Sequence, residues 1–117
     1  MQAEDQLSRT FAALADPTRR AILERLAFGE AGVVELTVGS SLTQPAITKH
    51  LKVLERAGLI GRGRDRQRRP ARLRLQGLNP ADAWLRLART EWTERLDRLE
   101  QHLALPPPDT TTTKERI

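Results

Sequence analysis

No cysteine occurs among the 117 residues. Its absence removes disulfide staples, thiolate metal sites and a cysteine nucleophile. Histidine is limited to His50 and His102. With so few imidazoles, no glycine-rich phosphate loop and no His-carboxylate-Ser constellation, nothing points to an enzyme or to a cofactor. Tyrosine is missing, and Phe11, Phe28, Trp84 and Trp92 are the whole aromatic complement, so a stacking platform for single strands or RNA has little to be built from. No apolar run approaches a membrane span, and the start MQAEDQLSRT has neither the basic nor the apolar stretch of a signal peptide. A cytoplasmic protein without membrane contact is expected, folded as one domain over residues 1–105.

What is present is charge, unevenly placed. The chain has 20 Lys+Arg against 15 Asp+Glu, a net of +5. Residues 62–74 hold seven arginines and one acid, Asp65, which is +6; the remainder, 13 basic and 14 acidic groups, is −1. A cation concentrated in one short segment suits a polyanion held at one place, because each phosphate contact releases counterions. Arginine adds a planar fork that can pair two oxygens. The plainer reading of the same segment is a solvated turn.

Hydrophobic spacing divides the rest into helices. Leu7, Phe11 and Leu14 lie at i, i+4 and i+7 in a first helix over 5–15. Asp16-Pro17 stops it and starts a second, with an N-cap acceptor followed by proline at the first helical position. Ala21, Ile22, Leu23 and Leu26 are its expected buried stripe, and Gly29 its end. Val33–Val38 makes a weaker helix rich in β-branched residues. Thr43 caps a fourth over 44–57, in which Ile47, Leu51 and Leu54 form a narrow apolar stripe. Pro45, Lys49, Lys52 and Arg56 lie opposite that stripe, with Gln44 and Thr48 on a flank. Gly58 closes this helix. Leu59 and Ile60 begin an extended segment, and Leu73 and Leu75 alternate with Arg72 and Arg74 in a partner strand, making a β-hairpin with Asp65–Pro70 at its tip.

A last helix over about 80–104 repeats Leu85, Ala88, Trp92, Leu96, Leu99 and Leu103 at near-heptad spacing. One small domain cannot cover so long a seam, so a second copy of the chain is its natural partner. The tail 106–117, PPPDTTTTKERI, lacks apolar content and is expected to be disordered. The layout is mainly α with a small β-hairpin wing, a winged helix-turn-helix. Its helix suits a major groove and its wing suits backbone phosphate, which makes a double-stranded DNA operator the expected partner.

The segments FAALADPTRRAILERL and LTQPAITKHLKVLERAGLI, followed by the arginine-rich hairpin, resemble the ArsR/SmtB family of bacterial winged-helix repressors over roughly residues 7–104. The long tryptophan-bearing last helix looks most like its cysteine-free subgroup. The resemblance implies a homodimer paired through the first and last helices, repression by covering an operator, and in many members release when an effector binds. It places recognition-helix contacts on Thr43, Gln44, Thr48, Lys49 and His50, and wing contacts on Arg64, Arg66, Arg68 and Arg69. It also places the dimer interface on Leu7, Phe11, Trp84, Leu85, Trp92, Leu96, Leu99 and Leu103. Where relatives carry a larger apolar residue, this chain has Gly39-Ser40-Ser41, a turn expected to bury less and move more.

The residues themselves support much of this. Gln44 can present a donor and an acceptor to adenine, Thr48 can meet a base edge or a thymine methyl, and Lys49 and Lys52 can reach guanine or phosphate. Lys52 and Arg56 read equally well as solvated charges. His50 sits at the edge of the apolar stripe, where inward packing and DNA contact are both open. Metal sensing in the family uses cysteines or clustered His and carboxylates. Here Asp97 and His102 are five residues apart on a helix and face nearly opposite ways, so no metal ligand is assigned. Trp84 and Trp92 suit a dimer core or a pocket for an organic effector. Two other functions stay open: a basic protein-interaction module, and a metal-responsive repressor using last-helix His and carboxylate ligands.

Overall fold

The structure is a computed structural model that describes residues 2–64 and 69–103, with side chains from Gln6 onward. Helix α1 covers Gln2–Leu14, α2 Pro17–Leu26, α3 Val33–Thr37 and α4 Gln44–Arg56. Strands β1 (Ile60–Arg62) and β2 (Ala71–Leu73) follow, then a 3-10 turn Leu75–Leu78 and helix α5, Asn79–His102. This is the mainly helical, hairpin-bearing architecture that the sequence predicts. Two compact units are distinguished within it, one up to Asp82 and one from Ala83. The expected disordered tail, 106–117, lies outside the described residues.

Local chemistry explains the element ends. Asp16 Oδ2 accepts from the backbone N–H of Arg19 at 3.0 Å and so caps α2, while Pro17 enters where a missing N–H costs nothing. Glu35 reaches back to accept from Gly32 N at 2.7 Å, closing the start of the five-residue α3. Thr43 Oγ1 accepts from Ala46 N at 3.3 Å at the head of α4. At its far end Gly58 adopts φ +76°, a left-handed conformation that glycine enters without a Cβ penalty. The Gly39-Ser40-Ser41 turn is tied down by its own bonds: Ser40 N donates to Thr37 O at 3.0 Å, and Leu42 N donates to Ser40 Oγ at 3.0 Å.

The core of the first unit gathers Ile22, Leu26, Leu36, Ile47, Leu51, Leu54, Leu59 and Ile60, together with Ala13, Ala31, Ala57 and Ala71. The α4 stripe is buried as its spacing predicts. Two expectations need correction. Ala21 is exposed, because the α2 stripe is narrower than read and turns on Ile22 and Leu26. In α1 the fully buried positions are Thr10 and Ala13, while Leu7, Phe11 and Leu14 are half-buried. Thr10 can enter the core because its hydroxyl donates back to Gln6 O at 3.0 Å. Gln6 in turn donates to Ala57 O at 2.8 Å and fastens α1 to the end of α4.

The second correction concerns the hairpin. Its strands pair antiparallel with Ile60 opposite Leu73, Gly61 opposite Arg72 and Arg62 opposite Ala71. Pairing ends at the bond from Arg74 N to Leu59 O, 2.9 Å. Leu75, expected in the strand, instead opens the 3-10 turn and is 66% exposed. The cause lies at Gly77, whose backbone passes so close to Gly58 that a Cβ would strike the Gly58 carbonyl; the chain must leave the ladder to make that approach. On its other edge β2 gains a bridge, with Ala31 N donating to Ala71 O at 3.0 Å and Ala71 N to Ala31 O at 2.8 Å.

Candidate nucleic-acid interface

With its stripe turned inward, α4 presents Thr43, Gln44, Pro45, Lys49, Lys52 and Arg56 to solvent, while Thr48 and His50 are half-buried. Gln44, Thr48 and Lys52 follow one another at intervals of four, and Lys49, Lys52 and Arg56 at three and four, so polar and cationic ends share one face. Thr43 lends an oxygen lone pair to the helix cap, and its hydroxyl hydrogen stays available as a donor. Glu55, the acid on this helix, lies toward the wing base, where its charge acts on Arg62.

The wing divides its arginines between framework and surface. Arg62 directs Nε and Nη2 together onto the Arg69 carbonyl at 2.9 and 2.7 Å. Burial and the neighbouring Arg69 charge draw its pKa below the usual guanidinium value, from which it stays cationic. Arg74 Nη1 donates to Gly58 O at 3.1 Å. Arg69 holds the left-handed φ of +38° that turns its carbonyl toward Arg62, and Gly63 N closes the base onto Pro70 O at 2.7 Å. Arg64 and Arg69 are exposed, as is Arg72 on β2, a surface cation that the sequence reading did not assign. Arg66 and Arg68 lie outside the described residues.

His50 touches the α1–α2 corner. Its Nδ1 is 3.2 Å from Arg19 Nη1 and 3.9 Å from Asp16 Oδ2. The Asp16 carboxyl is held below its ordinary pKa, chiefly by the backbone N–H of Arg19, with the Arg19 charge adding to it. Arg19 was missed at the sequence level; the signal available was its position three residues after the Asp-Pro cap.

On α5, Trp84, Leu85, Trp92, Leu96, Leu99 and Leu103 are all exposed. The two indoles meet edge to face, with centroids 6.2 Å apart and planes at 85°. Among the described residues no three His, Asp or Glu side chains gather as a metal site, and no helix is long and apolar enough to cross a membrane.

A capped helix bearing polar and cationic groups, set beside an arginine-rich antiparallel hairpin, defines a winged helix-turn-helix protein. Residues 16–61 match the family described as bacterial regulatory protein, arsR family. A solved ArsR family transcriptional regulator, RHA00566, is 36% identical with a TM-score of 0.72, over 77% of this chain and 93% of that one. The HTH-type transcriptional regulator Rv2034 of Mycobacterium tuberculosis is 52% identical over 52 residues, 44% of this chain and 49% of that protein. The chain thus spans about half the length of that curated relative. The solution structure of the homodimeric winged helix-turn-helix DNA-binding domain of Mb0332 from Mycobacterium bovis is 26% identical with a TM-score of 0.58, covering 78% of this chain and 84% of that one. The chain belongs to the ArsR family of bacterial regulatory proteins.

Proposed function

We propose that the protein is a dimeric, sequence-specific DNA-binding repressor. Each α4 enters a major groove, where Gln44 and Thr48 read base edges and Thr43, Lys49, His50, Lys52 and Arg56 contact bases or phosphate. Arg64 and Arg69, with Arg66 and Arg68, hold flanking phosphates. The observation that carries this reading is the single exposed face of α4 on which Gln44, Lys49, Lys52 and Arg56 stand together. Repression follows from occupancy, since a bound dimer covers its operator. The setting is the cytoplasm, where bacterial DNA lies. The reading includes no catalytic step and no resident cofactor or metal, and it includes release by an effector of unassigned chemistry.

The dimer half of the proposal rests on α5. Its leucines and tryptophans repeat along a seam that stands open to solvent, and the Mycobacterium bovis relative is a homodimer. Leu7 and Phe11 of α1 join that interface in the same proposal. Binding of the purified chain to genomic fragments, followed by titration of the selected duplex against random duplex at several salt concentrations, tests the whole. Preference for one sequence together with steep loss of affinity on adding salt is expected. Equal affinity for all duplexes would favour the second reading, a basic module that docks acidic protein surfaces.

A further inference from the structure

Three nitrogens of the Arg19 guanidinium each meet an acceptor. Nε donates to Ala13 O at 2.9 Å and Nη2 to Ala12 O at 3.0 Å, two carbonyls in the last turn of α1, of which Ala12 O also accepts from Ala15 N at 3.2 Å. Nη1 crosses to α4 and meets His50 Nδ1 at 3.2 Å. The backbone N–H of the same residue is taken by Asp16 Oδ2. Arg19 therefore joins the end of α1, the start of α2 and the middle of α4.

The bond to His50 has only one possible sense. A guanidinium is all donor and stays charged, so Nδ1 must accept. A neutral imidazole that accepts at Nδ1 carries its hydrogen on Nε2. The opposite tautomer would aim an N–H at Arg19 and would need Asp16 as its acceptor. Asp16 Oδ2 stands 3.9 Å away, beyond hydrogen-bond reach, and already caps α2. The two neighbours of Nδ1 compete for the ring, and the shorter distance belongs to the arginine.

We propose that Arg19 is a positioning residue for the recognition helix, which holds His50 as the Nε2–H tautomer and so makes its remaining nitrogen a neutral hydrogen-bond donor to a DNA phosphate. The donor role rests on the duplex-binding reading above; the tautomer does not. A neutral donor adds affinity without displacing a counterion, so it leaves the salt slope unchanged.

Because the chain has two histidines, two-bond proton–nitrogen correlation spectra of the labelled full chain resolve each ring. At about pH 8, where an ordinary imidazole is neutral, His50 is expected as Nε2–H in the wild type. Arg19→Gln should shift it toward a tautomer mixture and leave His102 unmoved. A wild-type ring found as Nδ1–H, or one indifferent to Arg19→Gln, overturns the inference. Two further variants stay informative even if Arg19→Gln folds poorly. His50→Gln keeps an amide N–H near the Nε2 position and should hold operator affinity within about threefold, whereas His50→Asn keeps only the Nδ1 end and should lose about tenfold or more. Equal loss in both overturns the donor role. A wild type that binds no duplex, with its ring locked as Nε2–H, defeats the functional reading and the donor role while the Arg19 lock stands.

Discussion

Helices α4 and α5 are written with similar apolar spacing, yet they end in different states. The α4 stripe of Ile47, Leu51 and Leu54 is covered almost completely, Leu51 and Leu54 at 0% exposure. On α5 Ala88 is buried, but the large seam positions stay open, Trp92 at 54% and Leu96 at 62%. One helix finds its partners within the chain and spends its other face on polar and cationic groups. The other leaves a row of leucines and tryptophans facing water, a cost of roughly 25 cal/mol for each Å² of apolar surface. Apolar periodicity announces that a face will be buried; it does not say whether the cover is the same molecule or another.

The sharpest way to break the contrast is to damage each stripe in turn. Leu51→Ala should destabilise the fold by about 2–5 kcal/mol, read by urea denaturation, since a cavity opens where the side chain is fully enclosed. Leu99→Glu should leave the first unit folded and yield monomers in sedimentation. Operator affinity should then fall about a hundredfold, because two linked half-sites are no longer engaged together. An unchanged dimer would remove α5 from the interface.

Finer substitutions sharpen the role of the exposed α4 face. Thr48→Ala should cost about 1–3 kcal/mol of operator affinity and relax preference at one base pair, whereas loss of Arg69 should weaken every duplex alike. A selection experiment over randomised operators separates the two. The smallest effect concerns acid. Asp16 has a depressed pKa in the folded state. Its contribution to stability is therefore complete above the ordinary aspartate value and is lost as pH falls through the lower, folded one. Asp16→Asn should flatten the acid limb of a stability–pH profile and leave the neutral region nearly level.

Much of this was legible because it is local. Asp16-Pro17, Thr43 and Gly58 mark helix ends through chemistry that acts within three or four residues, and all three mark them in the structure. The exposed face of α4 followed from its period. The failures share another character. Leu75 leaves the strand because Gly77 meets Gly58, nineteen residues earlier in the chain, and no window of alternating residues carries that information. The Arg19–His50 contact spans 31 positions, a separation that leaves His50 open between inward packing and DNA contact when its own helix is read alone. Thr10 lies in the core, a place its residue type does not announce, because a hydroxyl can satisfy itself against its own helix.

The base of the wing is a clasp complete in itself: Arg62 grips the Arg69 carbonyl, Gly63 bonds Pro70, and Ala71 is stitched to Ala31 on its far side. Among the described residues these bonds are made by positions 62, 63, 69, 70 and 71 with Ala31. Changing the charge at Arg66 or Arg68 is therefore expected to alter the grip on flanking phosphate while that clasp stays closed, so strength of hold and integrity of fold can be tuned apart.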